Sequence, residues 1–293
     1  MKILLTGATG FLGSALARRW VHAGHDVTAI VRSASAEKLK SLDIGDLVAA
    51  AYSSDADVEE IVQASAPDVI VNTACSYGRS GESLSQMLDA NVRFGVLLLQ
   101  SQLKGVGVGR FINTGTVLEP STNFYALSKW QMTDWGESVV KVFPNQIQFI
   151  NVLLQHMYGP HDAATKFTTH VLRSCRSNMS RLDLTAGEQL RDFIYIDDVV
   201  DAYDVLVNSF EKLAPFEHIE VGSGVAPSIR TFVETAHRVT GSTTELVFGA
   251  LPYRANEAMS CCADTTRMRE LGWAPAFDIE AGLRKTLNLE SPT

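Results

Sequence analysis

The stretch "KILLTGATGFLGSALA" at residues 2–17 constrains this chain more than any other. An apolar run of strand length leads into Gly7, Gly10 and Gly13, and a helical pattern follows from Phe11 to Ala23, ending near Gly24. Glycine permits a tight turn, lets backbone amides approach a pyrophosphate and lets the helix pack close to the sheet. The helix N-terminus adds positive potential for an anion. The spacing is G-x-x-G-x-x-G rather than G-x-G-x-x-G, so its weight comes from its place between a strand and a helix at the head of the chain. Thr9, Phe11 and Leu12 share this loop and are expected to contact a dinucleotide with the three glycines.

The alternation continues through residue 150. "DVTAIVR", "DLVAAAY", "PDVIVNTA", "RFINTGT" and "IQFINVLL" read as strands, with helical patterns at 89–103 and 125–141 between them. Short apolar runs separated by helices imply a parallel sheet covered on both faces. The expected fold is α/β, a Rossmann-type doubly wound parallel sheet with a smaller, interleaved C-terminal α/β region for substrate. Beyond Gly159 the pattern becomes irregular. "RDFIYIDDVVDAYDVLVNSF" reads as a strand, a turn capped by Asp197 and a helix carrying Asp198 in its first turn; 229–240 reads as another helix, and Cys261 and Cys262 as strand residues. A dinucleotide-binding domain is expected over 1–155, with 190–212 returning to it. The second region then takes 156–189 and 213–293.

With 293 residues and 46% hydrophobic content the chain can bury a substantial core. A net charge of −8 argues against nucleic acid or an anionic membrane as partner, so a bound phosphate must meet local arginines or helix N-termini. The cysteines, Cys75, Cys175, Cys261 and Cys262, form no CxxC pair, and neither a metal site nor a disulfide framework is expected. No signal-peptide pattern and no membrane-length apolar stretch is found, which points to the cytoplasm.

The end of the second strand bears on the cofactor. An acidic residue there would accept a hydrogen bond from the ribose 2′-hydroxyl of NAD. Val31 and Arg32 stand there instead, with Ser33 beside them. A guanidinium pairs with a 2′-phosphate and stacks on adenine, so NADP(H) is the better match, with NAD(H) the alternative.

"FYALSK" puts Tyr125 and Lys129 one helical turn apart on one face. Together with the glycine loop and "RDFIYIDDVV", it resembles the extended short-chain dehydrogenase/reductases, which process nucleotide-activated sugars. The resemblance runs from Met1 to about Phe277. The segments "KFTTHVL", "TAGEQLRDFIYIDDVVDAY" and "RANEAM" look most like CDP-abequose synthase and related 4-ketohexose reductases. It implies that Tyr125 exchanges a proton with the reacting oxygen, that Lys129 and oxidised nicotinamide favour its phenolate, and that Lys129 also holds the nicotinamide ribose. A shift of two pH units for the phenol needs about 2.7 kcal/mol, within reach of one or two close cations. Thr116 falls where the family keeps a hydroxyl on the reacting oxygen, and Thr114, two residues earlier, competes for that role. Thr73, Ala74 and Asn91 match positions on the nicotinamide side. Arg191 and Arg254 match arginines that clamp a diphosphate, and Tyr77, His156, His161, Lys166 and Phe167 are further substrate-wall candidates. The family often forms homodimers through helices like 89–103 and 125–141.

Reaction type is narrowed by the two residues after Thr116. Family dehydratases place an Asp-Glu pair there, whereas Val117 and Leu118 cannot move protons. Double epimerases need a Cys at the Leu118 position together with the His of "GPHD"; only His161 is kept. An exchangeable NADPH suggested by Arg32 favours a 4-ketoreductase acting on a nucleotide-diphosphate sugar in surface-polysaccharide biosynthesis. The rivals are a 4-epimerase with bound NAD and a non-catalytic NADP(H)-binding regulator.

Overall fold

The structure is a computed structural model that describes residues 1–79, 81–254 and 257–290. Ala255 and Asn256 of "RANEAM" therefore lie outside the described residues. The chain packs into two compact units, Met1–Leu153 with Tyr203–Ile219, and Leu154–Ala202 with Glu220–Thr293.

In the first unit, β1 (Lys2–Thr6) runs into α1 (Phe11–His22), β2 (Asp26–Arg32), α2 (Ala36–Lys40), β3 (Val48–Tyr52) and α3 (Asp55–Ser65). β4 (Val69–Asn72), α4 (Leu84–Leu88), α5 (Phe94–Leu103), β5 (Gly109–Thr114), α6 (Phe124–Val142) and β6 (Ile147–Leu154) follow. The continuous helix expected at 89–103 is instead α5 preceded by one π-helical turn at Asp89–Arg93, which continues from α4.

Past β6, the chain adds β7 (His156–Tyr158), α7 (Phe167–Arg176), β8 (Arg181–Leu184), β9 (Leu190–Arg191), β10 (Phe193–Tyr195) and α8 (Ile196–Val207). It ends with β11 (Phe216–Val221), α9 (Ile229–Thr240), β12 (Glu245–Phe248), β13 (Ser260–Cys261), α10 (Thr266–Glu270) and α11 (Ile279–Leu289). Seven strands form one sheet in the order β11-β6-β5-β4-β1-β2-β3. The reversal of strand order beside β1 is the Rossmann arrangement, in which ligands bind beyond the carboxyl ends of the strands.

β1 and β4 are buried through almost every residue because helices cover both faces of the sheet. Leu4, Ile30, Ile70, Leu98, Phe111, Met132 and Phe149 join in one core cluster. Across the carboxyl ends of the strands lies a row of polar side chains. Thr6 donates to Asn72 at 2.7 Å, Asn72 to Asn113 at 3.0 Å, and Asn113 to Asn151 at 2.8 Å. Asn151 Nδ2 then meets His218 Nδ1 at 3.2 Å. Buried amides are costly unless satisfied, so this row fixes the strand register beneath the loops.

Two local expectations are corrected. The eighth helix starts at Ile196, which puts Asp197 in its first turn rather than at the cap, and its carboxylate pairs with Lys285 at 2.7 Å. Asp198 instead reaches away to accept from the backbone N–H groups of Ala276 and Phe277. β13 ends at Cys261, leaving Cys262 exposed beyond it.

Candidate active site

The glycine loop sits at the carboxyl end of β1. Gly7 has φ 70°, and a Cβ there would stand 2.6 Å from Thr73 Oγ1 and 2.8 Å from the Ala74 nitrogen. At Gly13 a Cβ would reach the Gly7 carbonyl oxygen at 2.2 Å. Thr73 and Ala74 are drawn in because both of their backbone N–H groups donate to Thr6 Oγ1, at 3.1 and 3.0 Å. The first turn of α1 has no capping side chain at Gly10, whereas α3, α4 and α6 are capped by Ser54, Ser83 and Asn123. Open amides at a twelve-residue helix, approached by side-chain-free backbone, fit a dinucleotide pyrophosphate. Thr9 and Phe11 are half-buried around this loop, while Leu12 turns its side chain into the core.

At the end of β2, Arg32 is exposed and makes no hydrogen bond or ion pair among the described residues. Ser33 donates its hydroxyl to the Tyr52 carbonyl at 3.0 Å. A free guanidinium at this strand end suits a 2′-phosphate.

Tyr125 and Lys129 lie in the first turns of α6, which Asn123 starts by accepting from the Ala126 N–H at 2.8 Å. The Thr116 hydroxyl accepts from the Leu118 N–H at 3.3 Å and is the strongest influence lowering the Tyr125 phenol. Thr114, the competing hydroxyl, ends β5 and is engaged by Tyr203 at 2.6 Å. Gly115 explains the division: its N–H bonds the Val152 carbonyl at 2.7 Å, and the chain then turns to present Thr116. Lys129 is only 2% exposed, and its ammonium makes no hydrogen bond or ion pair among the described residues.

The electrostatics differ from the sequence expectation. Burial pushes the Tyr125 phenol up and Cys75 adds to this, while Thr116, Tyr77 and Arg79, in that order, pull it down. Lys129 is absent from these influences and is itself driven toward the neutral amine by burial, partly opposed by Cys75. A lysine stripped of water holds its charge poorly, so it acidifies a neighbour less than an exposed one would.

Asn91 binds the chain on both sides of its amide. Its Oδ1 accepts from Ser76 N at 2.6 Å, and its Nδ2 donates to the Ser76 carbonyl at 2.9 Å and to Ser128 Oγ at 2.8 Å. Cys75, Arg79 and Ser128 are site neighbours that sequence reasoning missed, since no motif marks them.

In the second unit, Lys166 and Arg191 both lie within electrostatic range of His156. Burial first, then the Arg191 and Lys166 charges, pull His156 down to about 4, against an opposing Asp192. His156 Nδ1 has no hydrogen-bond partner among the described residues. Arg191 is held internally, by the Leu190 carbonyl at 2.8 Å, by Glu257 at 2.6 Å and by the Ala258 carbonyl. Phe167 is 39% exposed at the start of α7. His161 has φ 66° and uses its backbone N–H on Glu290. The side chains of His161 and Arg254 make no hydrogen bond or ion pair among the described residues.

Relatives agree with this architecture. CDP-abequose synthase of Salmonella muenchen is 31% identical over 297 residues, covering 99% of this chain and 98% of that protein. The Thermotoga maritima UDP-glucose 4-epimerase, solved with UDP-glucose, superposes with a TM-score of 0.83 at 21% identity, covering 98% of each chain. The Bacillus cereus UDP-glucuronic acid 4-epimerase, solved with UDP-glucuronic acid and NAD, gives 0.83 at 18% identity, again over 98% of each. At those identities the two structures speak for the fold. No described helix is long and apolar enough to cross a membrane. The family described as NAD dependent epimerase/dehydratase matches residues 3–222, and this chain belongs to it.

Proposed function

We propose that this protein reduces the C4 carbonyl of a nucleotide-linked 4-keto-6-deoxy or 3,6-dideoxy hexose with NADPH, in the making of surface-polysaccharide sugars. The observation that carries the reading is the Thr116–Tyr125 hydroxyl pair, followed by the aliphatic Val117 and Leu118. Two hydroxyls can hold one carbonyl oxygen, and aliphatic neighbours leave no carboxylate pair for dehydration. Full-length similarity to a CDP-abequose synthase supports the substrate class. The free Arg32 guanidinium supports NADPH over NADH.

Bound NADPH supplies the hydride, which with a proton turns the C=O into CH–OH and leaves NADP⁺. The chain's own residues do the rest. Thr116 donates a hydrogen bond that polarises the sugar oxygen, and Tyr125 gives it the proton. Lys129, in the same helix and shielded from water, holds the nicotinamide ribose. The open α1 amides take the pyrophosphate. Arg191 and Lys166 supply the positive charge suited to the substrate diphosphate, with neutral His156 beside them as a hydrogen-bonding group and Arg191 exchanging internal acceptors for phosphoryl oxygens. The same reading expects a homodimer, since Leu88, Leu127 and Trp135 are exposed on α4 and α6.

The test is a panel of CDP-, dTDP-, GDP- and UDP-linked 4-keto sugars assayed by NADPH absorbance, with NADH as comparison. Stoichiometric NADPH oxidation and a 4-hydroxy product are expected. Sugar isomerisation without net cofactor use would identify a 4-epimerase instead.

A further inference from the structure

The loop after β4 carries Tyr77 and Arg79, and its shape is imposed rather than incidental. Asn91 binds both the N–H and the carbonyl of Ser76, and the same amide donates to Ser128 in α6. Ser128 in turn donates to the carbonyl of Tyr125 at 2.8 Å. One buried amide thus ties the loop to the helix turn that bears Tyr125. Beyond Ser76 the chain bends at Gly78, φ 65°, where a Cβ would stand 2.6 Å from Met87 Cε. The outcome is a layered arrangement. The Tyr77 ring stacks on the Tyr125 ring at 4.7 Å between centroids and 28° between planes, and the Tyr77 hydroxyl is among the groups that pull the Tyr125 phenol down. The Arg79 guanidinium stands 5.6 Å from the Tyr77 centroid.

We propose that Tyr77 and Arg79 are positioning residues for Tyr125: the Tyr77 hydroxyl donates to the Tyr125 oxygen and fixes its direction, and Arg79 sets the local charge. The inference rests on Tyr125 being the proton donor. It differs from a substrate-wall role, in which the two residues touch sugar and leave the phenol alone. The other groups facing Tyr125 are Cys75 and the Thr116 hydroxyl, with Lys129 on its own helix. Cys75 opposes ionisation of the phenol, while Thr116, Tyr77 and Arg79 favour it. A donor that stabilises phenolate more than phenol lowers the pH at which the proton leaves.

The experiment places difluorotyrosine at position 125 and follows its ionisation by fluorine NMR in the cofactor-free protein, alone and with Tyr77→Phe, Arg79→Gln or Arg79→Lys. Tyr77→Phe should raise the midpoint by about one pH unit, a tenfold change in proton affinity. Arg79→Gln should raise it by less, and Arg79→Lys should restore most of the difference. In the reductase assay, the alkaline fall of kcat, where the acid form of Tyr125 is lost, should move upward in the same order. Tyr77 is half-buried and Arg79 exposed, so folded variants are expected. An unmoved midpoint with only a raised KM for sugar would overturn the inference and leave the parent reading intact. Full activity of Tyr125→Phe would remove the parent reading and any catalytic use of the pair with it.

Discussion

The two units differ in how far their buried polar groups are matched within the chain. In the first, the carboxyl ends of the strands carry a closed row, Thr6, Asn72, Asn113, Asn151 and His218, in which each side chain finds the next. In the second, His156 Nδ1, Asp162 Oδ2 and Tyr195 Oη are buried with no partner among the described residues, against Gln102 Oε1 in the first, and the Arg191 and Lys166 charges both act on His156. Orphaned polar atoms cost stability, so they persist where a ligand can complete them. This chain thus ties the strand ends of its first unit to one another and leaves His156 in its second unmatched.

The sharpest way to separate the two halves is Tyr125→Phe. We expect at least a ~10²-fold loss in kcat with unchanged thermal unfolding, because a proton donor is removed and no packing is lost. An equal loss of melting temperature would mean that the phenol holds the first unit together. Next in size is Asn113→Asp, which attacks the closed row. Asp can still accept from Asn72, but its second oxygen would face the Asn151 oxygen in a site with no exposure. Denaturant unfolding should show a loss of about 1–3 kcal/mol.

Acid should weaken the second unit by a smaller amount. His156 binds its proton at about 4 in the folded state, against an ordinary value of 6.5. The unfolded chain therefore takes up the proton first as pH falls, and stability drains away between pH 6.5 and 4. Since His156 is half-buried, we expect about 1–2 kcal/mol, visible as reduced acid sensitivity in His156→Asn. Asp162 works in the reverse sense, because burial raises its carboxyl and its stabilisation fades as pH rises past the ordinary carboxylate range. The wild-type minus variant difference isolates the histidine. The smallest effect belongs to Arg32→Ala, which should lower the NADPH-over-NADH preference about tenfold, measured as a ratio of kcat/KM values.

The first unit was legible because its determinants are local. Apolar runs, helix-spaced Tyr125 and Lys129 and three glycines each carry their meaning within a few residues. The features that escaped sequence analysis depend on segments meeting from afar. The Asn91 amide joins Ser76 to Ser128, a pairing visible only once the loop after β4 is folded onto α6. Lys129 was read as the cation that acidifies Tyr125, whereas depth of burial, which no spacing encodes, weakens it for that task. Short parallel pairs such as β7–β10 and β9–β13 in the second unit join residues far apart in sequence and leave no periodic trace.

The bare start of α1 has a consequence for anyone handling this protein. A helix whose leading amides await an anion is incomplete until one arrives, so occupancy and heat resistance should rise together. Dinucleotide at a hundred times its dissociation constant adds about 2.7 kcal/mol by mass action alone. A stripped preparation and a replete one should therefore melt as though they were different proteins, and a melting curve becomes a gauge of how full the cleft is.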